Sequence, residues 1–228
     1  MSDPVCSVEA IPLFVELSAP ERERLGRVLA ERTFQRDRQI EQEGGSWDGL
    51  HIVKSGRVKL GKRSMGRELT MAIVEPGEPL NIAPLFGGGA NVFGAHALTR
   101  VSTYYLPAAV ARAFVSGHAA VQKALLRTLN MRIRKLASLA SEMSFTAVDA
   151  RLAAWLLAEA RDRGIRTERG IAVKRELSTR DLASLMGTVR RVISREIAEL
   201  RCQGIVEVTR DRIVILDRER LRARVREH

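Results

Sequence analysis

Hydrophobic and polar positions change period several times along the chain. Between residues 11 and 30, Leu25, Val28 and Leu29 recur at helical spacing. They follow Ser18, Pro20 and an acidic first turn of Glu21 and Glu23, which together predict a helix start. From about Thr33 the period shortens. The segments LHIV (50–53), RVKLGK (57–62), ELTMAIV (68–74) and VSTYYL (101–106) alternate or are β-branched. Glycines at Gly44–Gly45, Gly56, Gly66, Gly77 and Gly87–Gly89 punctuate this region. Many short strands at even spacing with turn signals predict a small antiparallel barrel or roll. Residues 109–117 read as a short helical piece, and a long helix follows from about His118 to Met143 with no proline or glycine inside it.

The long helix carries more than an amphipathic pattern. Leu126, Ile133 and Ala140 are seven apart, and so are Leu129, Leu136 and Met143, offset by three. The alternation of +3 and +4 is the a/d seam of a coiled coil, which predicts a symmetric two-chain contact. About three heptads are marginal alone, so flanking structure must help hold them. SFTAVD (144–149) interrupts the heptads and predicts a hinge. A second amphipathic helix, RLAAWLLAEARDRG, covers 151–164, and a polar loop is expected over 165–176.

Residues 177–206, LSTRDLASLMGTVRRVISREIAELRCQGIV, read as two short helices joined by a tight turn. Ser178 with Asp181 three residues on has the spacing of a capping box. Leu182 and Leu185 supply an inner stripe. Gly187 stands where a helix ends in the left-handed conformation that glycine adopts cheaply. Thr188 is then the expected cap of the second helix. Val189, Val192, Ile193, Ile197 and Leu200 form its inner face, while Arg190, Arg191, Ser194 and Arg195 fall on the other side. A short helix with arginines near its N-terminus fits a DNA major groove, where arginine bonds guanine O6 and N7 together. IVEVT (205–209), the turn residues Arg210–Arg212 and IVIL (213–216) predict a β-hairpin wing, followed by an arginine-rich helix over 217–226.

Composition narrows the function. The 228 residues carry 38 Lys+Arg against 27 Asp+Glu, a net of +11, which favours a polyanionic partner: nucleic acid or an anionic membrane. No run of 18 apolar residues exists, which argues against a spanning helix, and the N-terminus has no secretory pattern. A cytoplasmic protein is the expectation. From 148 to 228 there are 19 Lys/Arg and 13 Asp/Glu, a net of +6. Charge alone therefore does not single out this part; the placement of its arginines does. Cys6 and Cys202 are the only cysteines, too few for a disulfide framework or a four-cysteine iron–sulfur site. No Ser/His/Asp set, paired-carboxylate site, phosphate-binding glycine loop or helical His-x-x-x-His is present, so an enzyme is not expected.

Sensor roll, dimer helix and winged helix-turn-helix, in this order, resemble the layout of the Crp/Fnr superfamily of bacterial transcription regulators. The resemblance rests on SGRVKL (55–60), EPGEPL (75–80), RLAAWLL (151–157), residues 177–206 and RIVILDRERL (212–221). It implies an α+β chain: an N-terminal antiparallel β-roll (a cupin-like double sheet) over 1–117, a dimerisation helix and hinge over 118–147, and a winged helix-turn-helix over 148–228. It further implies a homodimer on double-stranded DNA with a two-fold symmetric operator. By position, Arg190 and Arg195 match arginines that contact DNA in relatives, and Ser194 a small residue on that face. Arg191 departs, because many relatives carry glutamate there; arginine favours guanine or phosphate instead. Ser178, Thr179, Arg180, Thr188, Arg210 and Arg212 are placed for phosphate contacts, which fix register without reading sequence. Contact with RNA polymerase is implied too, in some relatives through the 165–173 loop.

The sensor departs further. Cyclic-nucleotide-binding relatives carry a glycine–glutamate pair and then an arginine motif. Here Asn81 and Ile82 stand near the first, and Val92–Phe93–Gly94 near the second. Without that guanidinium a phosphate loses a bidentate, charge-assisted contact, which argues against a cyclic nucleotide. On the long helix, Leu136 and Ala137 stand where hydroxyl residues meet the base in relatives. An apolar pocket lined by Leu80, Ile82, Leu85, Phe86, Val92 and Phe93 around Asn81 is expected instead. Haem-based gas sensing is an alternative, with His51, His96 and His118 as candidate ligands. A further alternative is an effector-independent architectural binder whose roll is a scaffold. Cys202, just past the recognition helix, reads as a buried inert thiol, with an oxidisable switch as the other reading.

Overall fold

The computed structural model describes Val8 and residues 11–226, so Cys6 lies outside the described residues. By contacts the chain divides into two compact units: Met1–Lys62 with Met71–Leu136, and Arg63–Thr70 with Ala137–His228.

In the first unit, a single 3-10 turn at Pro12–Phe14 precedes helix α1 (Ala19–Val28). Ser18 and Glu21 close a capping box there, Leu25 is buried, and Val28 points outward instead of joining the stripe. Seven strands follow: β1 (Ala30–Phe34), β2 (Gln39–Glu41), β3 (Gly49–Ser55), β4 (Val58–Ser64), β5 (Arg67–Val74), β6 (Gly94–Ala97) and β7 (Val101–Pro107). One sheet has the order β1-β7-β3 and the other β2-β6-β4-β5, which makes an antiparallel double-sheet roll. The turn from β3 to β4 needs Gly56: its φ is +85°, and a Cβ there would lie 2.3 Å from the Arg100 carbonyl oxygen.

Helices α2 (Ala83–Gly87), α3 (Ala108–Gly117) and α4 (Ala119–Phe145) complete this part. One core gathers Phe14, Leu25, Leu50, Ile52, Ile82, Leu106, Val121 and Leu125, so the start of α4 is held by the roll; a second, between the sheets, holds Val53, Val58, Leu60, Leu80, Ala95 and Val101. The long helix is shared: it crosses from the first unit to the second after Leu136.

In the second unit, α5 (Val148–Arg163) precedes two strands, β8 (Ile165–Thr167) and β9 (Gly170–Lys174). This corrects the expectation of a loop over 165–176. The hairpin pairs Ile165 with Ala172 and Thr167 with Gly170, and β9 continues the wing sheet, whose order is β10-β11-β9-β8. Helices α6 (Thr179–Leu185) and α7 (Arg190–Cys202), strands β10 (Val206–Val208) and β11 (Arg212–Ile215), and helix α8 (Arg218–Arg226) complete the unit. Leu152, Leu156, Leu182, Met186, Ile193, Leu200, Ile213 and Leu221 are buried in it.

Candidate nucleic-acid interface and sensor region

The two-helix element is built from local chemistry. Ser178 Oγ accepts a bond from the Asp181 amide (3.1 Å), and the Ser178 amide donates to Asp181 Oδ2 (3.2 Å), so two orphan donors at the start of α6 are satisfied reciprocally. The Ser178 hydroxyl also donates to Asp181 Oδ2 (2.6 Å). It is therefore committed to the cap, and a phosphate contact would compete with that bond. Thr179 Oγ1 accepts from Arg175 (3.3 Å), while Arg180 is exposed. Gly187 turns the chain with φ +62°. A Cβ at Gly187 would come within 2.3 Å of Met143 Cε, the far end of a flexible side chain, so it is the left-handed backbone rather than space that calls for glycine.

Thr188 does not cap α7. Its amide donates to the Ala183 carbonyl (2.9 Å), the cap position is Val189, and no side chain caps it. Val189 is also exposed rather than part of the inner face. The inner face of α7 is Ile193 and Leu200, fully buried, flanked by half-buried Val192 and Ile197. Arg190, Arg191, Ser194 and Arg195 all lie exposed on the opposite side. Among the described residues the Arg195 side chain bonds only its neighbour, donating to Glu196 Oε1 (2.8 Å). In the wing, Arg210 is exposed, and Arg212 begins β11 with Asp211 beside it (3.1 Å). Cys202 is exposed as a free thiol, contrary to the buried reading.

Arg151 has a role that its place in an amphipathic helix does not disclose. Its guanidinium donates to the carbonyls of Glu142 (3.1 Å), Thr146 and Met186 (2.7 Å). One side chain thereby ties the end of α4, the 146–147 link and the turn between α6 and α7.

The sensor region differs from the expected apolar pocket. Leu80 and Ile82 are core residues of the roll, Leu85 is buried with them, and Phe86 and Val92 are 44% and 40% exposed. Leu80 belongs to the core between the sheets and Ile82 and Leu85 to the other core. At the centre of this stretch sits a polar cluster. Asn81 Nδ2 donates to Glu41 Oε2 (2.6 Å) and to the Phe93 carbonyl (2.8 Å), and Asn81 Oδ1 accepts from the Phe93 amide (3.2 Å). Glu41 is 5% exposed, and its Oε1 has no hydrogen-bond partner. Burial pushes its carboxyl pKa up to about 7, against the lowering effect of the Asn81 bonds. From α4, Arg132 donates to the carbonyls of Leu80 (2.5 Å) and Pro79, with Glu78 and Glu41 in its field.

His51 and His118 make contacts within the roll. His51 is 1% exposed, shares a hydrogen bond with Thr103 (2.9 Å) and lies between Phe34 and Tyr105; burial lowers its pKa to about 4, so it is neutral. His118 contacts the Phe114 carbonyl (2.6 Å) and Glu21 (3.2 Å), and stacks on the Phe114 ring. His96 pairs in register with Gln39 and Lys59. Among the described residues no cluster of three or more His, Cys, Asp or Glu is arranged to hold a metal ion.

Known proteins share these parts. The family model of the Crp-like helix-turn-helix domain matches residues 150–224, and that of the cyclic nucleotide-binding domain matches residues 31–118. The chain belongs to the Crp/Fnr superfamily of transcription regulators. It is similar to the CRP-like cAMP-activated global transcriptional regulator of Mycobacterium tuberculosis, at 28% identity over 85% of this chain and 87% of that protein. It is also similar to the global nitrogen regulator of a Synechocystis strain, at 24% identity over 80% of this chain and 83% of that protein. A Crp-family transcriptional regulator from Thermus thermophilus shares the fold, with a TM-score of 0.73 and 23% identity over 85% of this chain and 96% of that one. This superfamily member is thus a transcription regulator with a helix-turn-helix DNA-binding domain, and not an enzyme. No helix among its described residues is long and apolar enough to cross a membrane.

Proposed function

We propose that this Crp/Fnr-superfamily protein acts in the cytoplasm as a homodimer on two-fold symmetric DNA, with α7 as the base-reading helix and a sensor that answers a signal other than a cyclic nucleotide. The observation that carries the reading is the sidedness of α7. Ile193 and Leu200 are buried behind it, and Arg190, Arg191, Ser194 and Arg195 stand exposed in front. Arg190, Arg191 and Arg195 read bases, while Thr179, Arg180, Arg210 and Arg212 contact phosphates. The dimer reading is supported by Leu126 and Ile133 on α4, which are 55% and 64% exposed and would be covered by a second copy. Such a dimer presents two copies of α7, and RNA polymerase is its further partner.

The test is duplex binding by the full-length protein, followed by fluorescence anisotropy at several salt concentrations. Log affinity should fall steeply and linearly with log salt, because several phosphates displace counterions. Arg195→Ala should weaken a selected site roughly tenfold or more and random duplex much less. Equal losses on both would assign Arg195 to phosphate contact, and a flat salt response would contradict the DNA reading.

A second reading, effector-independent DNA binding, is favoured by one contact. Arg132 of α4 already holds the carbonyls of Pro79 and Leu80, the stretch that carries the nucleotide motif in relatives. An internal guanidinium there does from within what a bound effector would otherwise do. Tight operator binding by ligand-free protein, lost in Arg132→Ala, distinguishes it from the first reading.

A further inference from the structure

The second unit has a groove on the side of α5 and α8, with a volume of about 370 Å³. Its apolar lining is Ala154, Leu157, Ala158 and Val225; Arg161, Arg218, Arg222 and Arg226 border it. The three arginines of α8 are four residues apart, so they stand on one face of the helix. Among the described residues Arg161 and Arg222 pair only with nearby surface acids, Asp162 and Glu219. Arg218 and Arg226 have no side-chain partner among the described residues.

The groove is fixed in place by the other side of α8. Leu221 is fully buried. Arg224 reaches Glu199 (3.2 Å) and Gln203 (2.8 Å) at the C-terminal end of α7, and Asp149 of α5 (3.7 Å). Arg220 donates to the Gln203 carbonyl (2.9 Å). The helix therefore abuts the C-terminal end of α7, roughly 6 Å or more along the α7 axis from Arg190, Arg191 and Arg195. A ligand in this groove leaves the exposed face of Arg190, Arg191 and Arg195 open.

We propose that the α5/α8 groove docks an acidic amphipathic helix of a partner protein while the same domain is on DNA. Two features select that occupant. Four guanidinium groups around the rim require an anionic partner. An apolar floor between two helices rewards a row of apolar side chains, as in helix-in-groove recognition. A phosphate backbone would use the rim and gain nothing from the floor.

The experiment uses the full-length protein and a fluorescein-labelled 15-residue helical peptide with leucines on one face and glutamates beside them. Anisotropy should show saturable binding. Arg218→Glu with Arg222→Glu should weaken it roughly tenfold or more, and Val225→Ser several-fold, with random-duplex affinity nearly unchanged. Saturating duplex should leave the peptide bound. Three results would overturn the proposal: no saturable binding; equal binding of a peptide whose leucines are replaced by serine; or displacement by duplex together with equal loss of duplex binding in the double variant, which would make the groove a nucleic-acid surface. Should the charge-reversed protein fail to fold, the leucine-to-serine peptide on the wild-type protein and Val225→Ser decide the question.

Discussion

Glu41 is the residue whose surroundings are most at odds with its charge. Its carboxyl lies in the roll, one oxygen bonded to Asn81 and the other without a partner. The folded pKa, about 7, stands above the ordinary 4.5. The protonated form is thus favoured by folding: its contribution is fully present below pH 4.5 and is lost as pH rises through 7. Up to about 3 kcal/mol is at stake across that window. Glu41→Gln keeps an oxygen for Asn81 and removes the charge. Thermal unfolding should show the wild-type protein losing stability between pH 5 and 7.5, and the variant with a flatter profile and a higher melting temperature at pH 8. Parallel profiles for the two proteins would show that Glu41 does not titrate in this window. Gly187 is a second point of constraint. Gly187→Ala must place a Cβ against Met143 in a left-handed backbone, and should destabilise the domain by about 1–2 kcal/mol in denaturant unfolding. An unchanged midpoint would mean that the turn relaxes freely.

Among the elements, α4 carries the dimer claim. Its heptads combine two kinds of residue. Leu129 packs against the roll's own core, whereas Leu126 and Ile133 face solvent. Leu126→Lys with Ile133→Lys should therefore give folded monomers in sedimentation; a persisting dimer would place the contact elsewhere. Local signals were the readable ones. The capping box at Ser178 and Asp181, the turn glycine and the sided α7 all follow from residues within a few positions of each other. The β8–β9 hairpin was not readable as strands, because β8 is wholly exposed and shows no alternation. Strand β1, almost wholly exposed, hid for the same reason. The Thr188 cap failed because the helix starts one residue later than expected, which puts Val189, with no side-chain acceptor, at the cap position. Glu41 with Asn81, and Arg132 with Pro79 and Leu80, meet across separations of 40 to 53 residues, which periodicity does not reach.

At the scale of the whole molecule, the proposed function joins a roll that answers a signal other than a cyclic nucleotide to a DNA-binding domain with arginine at 191. Any signal acts only by favouring one of two arrangements more than the other. The central claim is that two copies of α7 read DNA together. The most direct test is selection of bound duplexes from a random library by the full-length protein, repeated with Arg191→Ala. The account predicts enrichment of a pseudo-palindrome, with half-sites one helical turn apart, about 10 base pairs centre to centre. It predicts that the variant relaxes the same base pair in both halves, guanine being the base that Arg191 selects. Enrichment of a single asymmetric element, or no enrichment over random sequence, would contradict it.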